Sequence, residues 1–454
     1  MEFPLKIKFN TLLILFILIP LNLGYAKSEK ILIINDAEIN NYINYLSKPL
    51  LVSSGLSEEF VEVNIIFDDR INAFVAGGQR IFIHSGLITN SDEPEEIVGV
   101  IAHEIGHIVS GHLTRTREAI SSASTAGILA ALFGVISVGI YHNSIEQVEG
   151  DLTAAAIFSS ANSLSLNSIL KYSRTQELNA DMHAINLLEE NKTSGRGLLK
   201  ILYKLSKKDK INANQMNYLS THPLNSERIS IAGNRIKGSK YFNQKSNIKS
   251  LENLNRIKAK INGFTKPHES LRKHNQDKSI YGRIAKATSL HKLGKNKESI
   301  EILKKLIKDE PLNPYIYETL GKTYLDDRQI DKSIDLYEKA TKISENNSLI
   351  LIGYSKALIS KNKQETDIKA INILEIVTKK LKKNYNAWRL LEILYGRSGK
   401  YGQSFLAGAE KSLILGQRRN AFNKATEALK LLKVNTPNYY RAKDIIIITK
   451  KTNN

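Results

Sequence analysis

Five consecutive residues carry the strongest chemical signal in the chain: His103-Glu104-Ile105-Gly106-His107. Histidines four apart on an α-helix are separated by about 400° of rotation, so both imidazoles point the same way. Two neutral imidazoles on one face can take two corners of a zinc tetrahedron. Glu104 is turned by about 100° from His103 and can approach a zinc-held water without being a ligand. Zinc brings such a water to a pKa of about 7, which lets a neighbouring carboxylate take its proton as general base. Three fixed residues also recur by chance, so context has to carry part of the case. The segment sits in an apolar, helix-prone stretch (residues 97–102 before it, Ile108 and Val109 after it), and Gly106 leaves room for close packing. His112 is nine residues from His103, about 180° round a straight helix. It is therefore read as a solvated or packing residue and not as a ligand.

A third ligand must come from another helix. The best candidate is Glu177, in Tyr172-Ser173-Arg174-Thr175-Gln176-Glu177-Leu178-Asn179-Ala180-Asp181. Asp181 lies one turn further on, where it can hydrogen-bond the back of a ligand histidine. By itself a Glu-x-x-x-Asp pair is an ordinary solvated helix face. Arg174 can pair with a carboxylate of the site or form a surface salt bridge.

The elements that must position these groups are marked along the chain. Asp36 is placed to cap a helix over residues 37–51. Residues 61–67 alternate and read as a strand, residues 72–78 as a turn, and residues 80–84 as a second strand. That second strand is expected to be an edge able to pair with an extended substrate backbone. Ser91-Asp92-Glu93-Pro94 opens a helix expected to run through residue 118, with acidic residues at its positive end. A helical stretch at 152–189 and two short helices complete a first domain near residue 236. Residues 126–141 are apolar and uncharged, shorter than the roughly 20 residues a membrane span needs. They read as a buried helix, an apolar wall near the site or a segment that dips into a membrane.

Residues 237–279 are polar and weakly periodic, a helical or flexible connector. Beyond residue 280 a unit of about 34 residues recurs. Tyr317, Leu320, Gly321, Tyr324, Tyr337 and Ala340 occupy the aromatic, Leu-Gly, aromatic and small positions of the tetratricopeptide pattern. Neighbouring units keep the frame, with a three-residue insertion around Glu365. Such helix pairs cannot bury their faces alone and stack into a solenoid with a concave surface. The expected fold is thus α+β, mostly α: a zincin-like domain with a small β-sheet (27–236), a connector (237–279), the repeats (280–432) and a tail (433–454).

Composition narrows the setting. The chain of 454 residues has no Cys, which excludes disulfides, thiolate ligands and a lipid-modified N-terminal cysteine. Lys6 and Lys8 precede an apolar run over residues 12–23, and Gly24-Tyr25-Ala26 offers small residues before a cleavage point. That is the pattern of a secretory signal peptide over 1–26; the alternative is an uncleaved membrane anchor. Residues 241–454 hold 43 Lys+Arg against 21 Asp+Glu, whereas residues 1–240 hold 22 against 24. A basic second half suits acidic partners, anionic lipid or simply a Lys-rich solvated surface. No aromatic-interleaved basic motif points to nucleic acid.

His103-Glu104-x-x-His107 followed by Glu177-x-x-x-Asp181 resembles the HtpX-like gluzincin metallopeptidases. With an export signal and C-terminal tetratricopeptide repeats, the chain resembles the periplasmic β-barrel assembly-enhancing proteases of Gram-negative bacteria. Asn72-Ala73-Phe74, Gly77-Gly78 and Ser85-Gly86-Leu87 agree with that family's segment before the zinc helix. Ser220-Thr221-His222-Pro223 with Glu227-Arg228-Ile229 agrees with its loop after the third ligand. His183 and Ala184 depart from the commoner pattern beside Asp181, which bears on packing and not on the ligand. The resemblance implies Zn2+ held by His103, His107 and Glu177, with Glu104 as catalytic base and Asp181 behind a ligand. It implies that His222 can occupy the fourth zinc position and keep the enzyme latent. A transition-state donor or a structural loop residue are the other roles open to His222. It further implies a periplasmic location, peripheral membrane association, and partners among misassembled outer-membrane β-barrel proteins and their assembly machinery, bound through the repeats. Two other readings stand beside it: a chaperone or assembly scaffold with a silent zinc site, and an integral membrane protease anchored by residues 126–141.

Overall fold

The computed structural model describes residues 33–57, 61–76, 79–112, 172–206 and 221–450. The signal-peptide pattern, residues 126–141, residues 152–171, Gly77-Gly78 and Ser220 lie outside the described residues.

The first helix, α1 (Ala37–Ser53), starts where Asp36 accepts hydrogen bonds from the backbone N–H groups of Glu38 and Ile39. A three-stranded sheet follows: β1 (Glu62–Ile66), β2 (Ala73–Ala76) and β3 (Arg80–His84), in the order β1-β3-β2. β3 runs parallel to β1, with Glu62 opposite Arg80, and antiparallel to β2, with Ala73 opposite Ile83. Residues 73–76, expected within a turn, therefore form a strand. All four residues of β2 are buried, so it lacks the alternation that marks a half-exposed strand. This also corrects the expectation that residues 80–84 form an edge. β3 is central, and β1 and β2 hold the edges among the described residues.

α2 (Ser85–Asn90) leads directly out of β3 into α3 (Pro94–Val109), which has Pro at its start and Glu95 and Glu96 in its first turn. Helix α3 ends at Val109, well short of residue 118. Gly111 takes a left-handed φ of +64° that turns the chain. Behind α3 pack α4 (Arg174–Glu190) and α5 (Arg196–Ser206), and α6 (Ser226–Lys237) closes this side. Their apolar faces share one core with α1, the sheet and the next helix, α7 (Ile248–Thr265), through Leu254, Ile257 and Ile261. The connector is thus helical and packed into the core at its first helix. No helix among the described residues is long and apolar enough to cross a membrane.

After α8 (Pro267–Lys273) come five antiparallel helix pairs. They are α9 (Ile280–Lys292) with α10 (Asn296–Asp309), α11 (Pro314–Asp326) with α12 (Ile330–Ile343), and α13 (Ser348–Ser360) with α14 (Gln364–Lys380). Two more follow: α15 (Tyr385–Arg397) with α16 (Tyr401–Ile414), and α17 (Arg418–Leu431) with α18 (Pro437–Lys450). The insertion near Glu365 has a simple outcome: α14 has 17 residues where α10, α12 and α16 have 14. Gly321 allows close contact of α11 and α12, since a Cβ there would lie 3.1 Å from the Tyr337 ring.

Candidate metal centre

Helix α3 carries His103, Glu104 and His107, all essentially without solvent exposure. It can be buried this deeply because two glycines let its neighbours approach. A Cβ on Gly106 would lie 2.7 Å from the Ala180 carbonyl oxygen of α4, and one on Gly99 would lie 2.7 Å from the Leu198 nitrogen of α5. α4 begins with a capping box: Ser173 Oγ accepts from Gln176 N–H, and the Gln176 side chain accepts from Ser173 N–H. Glu177 follows in the first turn, where the positive helix end favours a carboxylate.

Four side chains converge. His103 Nε2 and His107 Nε2 are 3.1 Å apart, and His103 Nε2 is 3.4 Å from His222 Nδ1. The Glu177 carboxylate is 3.3 Å from His107 Nε2, 3.0 Å from His222 Nδ1 and 3.5 Å from His103 Nε2. A tetrahedron around zinc with ligands at about 2.1 Å has edges of about 3.4 Å. The donor set of three imidazoles and one carboxylate therefore fits zinc in both chemistry and spacing. Glu104 stands beside it: His222 Nε2 is 3.6 Å from its Oε1, and both of its carboxylate oxygens are buried with no hydrogen-bond partner among the described residues. Burial raises its pKa.

The ligands are held from behind. His103 Nδ1 is 2.9 Å from Asp181 Oδ1. Burial works against a charged His103, but Asp181 and then Glu177 outweigh it and raise its pKa to about 9 in the protein alone. Arg228 reaches both acids of α4. Its Nε and Nη2 donate to Asp181 at 2.5 and 3.0 Å, and its Nη1 is 2.5 Å from Glu177 Oε2. Burial alone would raise the Asp181 carboxyl; the Arg228 hydrogen bond and charge hold it below the usual range. The cation beside Glu177 is thus Arg228, and Arg174 is exposed. The signal for it lay in the Glu227-Arg228-Ile229 segment, six residues after His222, where Asn225 caps α6 by accepting from Arg228 N–H.

His112 also departs from expectation. It is buried, with Nδ1 at 2.9 Å from His107 Nδ1. The helical-wheel argument kept it from the ligand position but put it on the wrong side. The helix stops at Val109, and the Gly111 turn folds His112 back. His107 is further held by the Tyr172 ring, stacked at 3.7 Å. Tyr172 N–H donates to the Thr221 carbonyl, which ties the start of α4 to the loop bearing His222.

Comparisons with known proteins agree with this chemistry. Residues 37–236 match the model for peptidase family M48, and residues 258–394 match that for the N-terminal TPR repeats region of Psidin. The chain is 22% identical to the β-barrel assembly-enhancing protease of Yersinia pestis over 410 residues, 88% of this chain and 81% of that one. It is 26% identical to the putative β-barrel assembly-enhancing protease of Vibrio cholerae over 417 residues, covering 88% and 82%. The metalloprotease YcaL of Escherichia coli is 27% identical over 181 residues, 40% of this chain and 64% of that one. With residues 37–236 matching peptidase family M48 around a zinc-fitting site and helical repeats behind them, the chain is a zinc metallopeptidase.

Proposed function

We propose that this metallopeptidase is a periplasmic endopeptidase that cuts misfolded or misassembled outer-membrane β-barrel proteins and is latent at rest. The observation that carries the latency is His222 Nδ1, within 3.4 Å of His103 Nε2 and 3.0 Å of the Glu177 carboxylate. It fills the fourth corner that catalysis needs open. The client class and compartment rest on the names and the long alignments of the relatives.

Zinc in this site supplies a Lewis acid that polarises a carbonyl and acidifies water. The protein supplies the rest. Glu104, raised by burial, accepts the proton of the attacking water and returns it to the leaving amine. His222 must first swing away, breaking its Nε2 contact of 3.2 Å with the Ala73 carbonyl of β2. That departure frees both the fourth corner and part of the β2 edge, where an extended substrate can pair by main-chain hydrogen bonds of little sequence preference.

The test is digestion of an unfolded β-barrel protein, with metal analysis, by wild type, Glu104→Gln and His222→Ala. Glu104→Gln should keep stoichiometric zinc and lose at least about 100-fold in rate, as expected for loss of a general base. His222→Ala should cut faster than wild type. Equal cleavage by Glu104→Gln would falsify the mechanism, and a His222→Ala protein no faster than wild type would remove latency. The scaffold reading draws on the same contact, because a seated His222 gives holding without cutting. Wild type and Glu104→Gln that rescue barrel assembly equally well would favour it.

A further inference from the structure

Three imidazoles face the metal position through one nitrogen each, and the other nitrogen of each is held. His103 turns Nε2 inward and sets Nδ1 2.9 Å from Asp181 Oδ1. His222 turns Nδ1 inward and sets Nε2 3.2 Å from the Ala73 carbonyl oxygen. Those two outer partners, an ionised carboxylate and a carbonyl, can only accept. His107 also turns Nε2 inward, but its Nδ1 lies 2.9 Å from another imidazole nitrogen, Nδ1 of His112.

The direction of that third bond follows from the chemistry of the ring. A neutral imidazole has one nitrogen with a lone pair in the ring plane and one N–H. A metal takes the lone pair. With Nε2 given to zinc, His107 carries its hydrogen on Nδ1 and donates it, so His112 Nδ1 is the acceptor. His112 therefore cannot ligate through that atom. Among the described residues, the ligand atoms that lie within 4.8 Å of one another belong to His103, His107, Glu177 and His222, without His112.

Packing by itself does not orient His107. The Tyr172 ring stacks on it, centroids 3.7 Å apart and planes at 22°. Stacking fixes the plane of the imidazole but is nearly indifferent to a half-turn about Cβ–Cγ. That half-turn would put carbon atoms where Nδ1 and Nε2 now stand, and the metal would lose a ligand. A directional N–H···N bond separates the two orientations. His112 is 2% exposed, so water does not compete for it. The turn that delivers His112 is built for the purpose. Gly111 N–H donates to the Ile108 carbonyl, and Gly111 takes its φ of +64° where a Cβ would meet nothing within 4 Å. Glycine is needed there for the left-handed conformation and not for space.

We propose that His112 is the positioning residue of the zinc ligand His107: its Nδ1 accepts the His107 Nδ1–H and so holds Nε2 toward the metal. Each inward imidazole then has its own acceptor behind it, Asp181 for His103, the Ala73 carbonyl for His222 and His112 for His107. The assignment does not depend on the client, the compartment or the latency proposed above.

The test uses the full-length chain and two readouts other than cleavage. Competition with a metal chelator compares wild type with His112→Phe, which keeps a ring and removes the acceptor, and with His112→Asn, whose carbonyl oxygen can stand near the place of Nδ1. His112→Phe should bind zinc about 10- to 100-fold more weakly, the usual cost of losing support behind a ligand. His112→Asn should recover most of that loss, which a purely space-filling role would not predict. Circular dichroism melting curves show whether both variants fold. The second readout is nitrogen NMR of zinc-loaded wild type labelled with 15N-histidine, with the His112 signals identified by their absence from His112→Asn. His112 should carry its hydrogen on Nε2 and none on Nδ1. Unchanged zinc affinity in folded His112→Phe, or a folded His112→Asn that binds no better than His112→Phe, would overturn the proposal. So would a hydrogen on His112 Nδ1. That tautomer is read on the wild-type ring, so the proposal can still be refuted if His112→Phe does not fold. A failure here leaves the peptidase and its latency standing.

Discussion

Arg228 is the residue whose importance the linear motif concealed. It donates two bonds to Asp181 and approaches Glu177, so it spans a ligand and the acid that orients another ligand. Replacing one partner of a buried charged set leaves the others uncompensated. Arg228→Ala should weaken zinc binding about 10- to 100-fold, the usual cost of losing support behind a ligand. Arg228→Lys should rescue only in part, because a point charge cannot reproduce a two-bond fork. Competition with a metal chelator measures both; unchanged zinc affinity in Arg228→Ala would reduce the residue to a brace for the His222 loop. At this scale the sequence was informative about residue type and silent about pairing. His103 and His107 are set by helix periodicity, whereas Arg228 meets Asp181 across 47 residues and a change of helix.

At the scale of elements, the site depends on how closely α3, α4 and α5 approach. Gly106 and Gly99 face backbone atoms, which cannot move aside as a flexible side chain can. Gly106→Ala and Gly99→Ala should each destabilise the fold by about 1–3 kcal/mol, in the range of overpacked cores. Gly233→Ala on α6 is the contrasting case. Its Cβ would sit 3.5 Å from Leu199 Cδ1, an ordinary contact, and alanine favours a helix by up to about 1 kcal/mol over glycine. Urea unfolding of the three variants should place Gly233→Ala at or above wild type and the other two below it. Comparable losses in all three would show that helix spacing is not the constraint. The strand β2 belongs here too. Its four buried residues carry no periodic signal, so its pairing with β3 came only from the folded sheet, through contacts such as Phe74 stacked on Phe82 at 5.2 Å.

Over the whole molecule, the start of α1 locks the peptidase part to the repeats. Lys260 of α7 lies 2.8 Å from Asp36, and Arg256 bridges Glu38 at 2.8 Å and Glu310 at 2.9 Å. Ala37 packs into the apolar cluster of the repeats with Tyr317, Tyr337 and Ile350. Glu318 sits buried in this junction, raised from 4.5 to about 8 first by desolvation and then by Asp36. Between those values the folded chain holds a proton that the unfolded chain has released. Stability contributed by this group is therefore present below about pH 4.5 and is lost as pH rises towards 8. Glu318→Gln should remove the loss: its melting temperature should exceed that of wild type at pH 9, and the difference should shrink or reverse at pH 5. Thermal melts of both proteins across pH 5–9 read this directly; parallel curves would mean that Glu318 is ionised in the folded state.

The sequence by itself determined what each segment can be. Short-range regularities did this: a four-residue spacing put His103, Glu104 and His107 on one helix, Asp36 capped α1, and a 34-residue period forecast the helix pairs. Those signals are local because helix geometry is local. What the tertiary structure alone decided was who meets whom across distance. It made β3 the central strand, ended α3 early enough to fold His112 onto His107, and chose Arg228 over Arg174 beside Glu177. Each of these depends on packing between segments far apart in the chain, where close approach, burial and charge compensation select the partner and no local pattern records it.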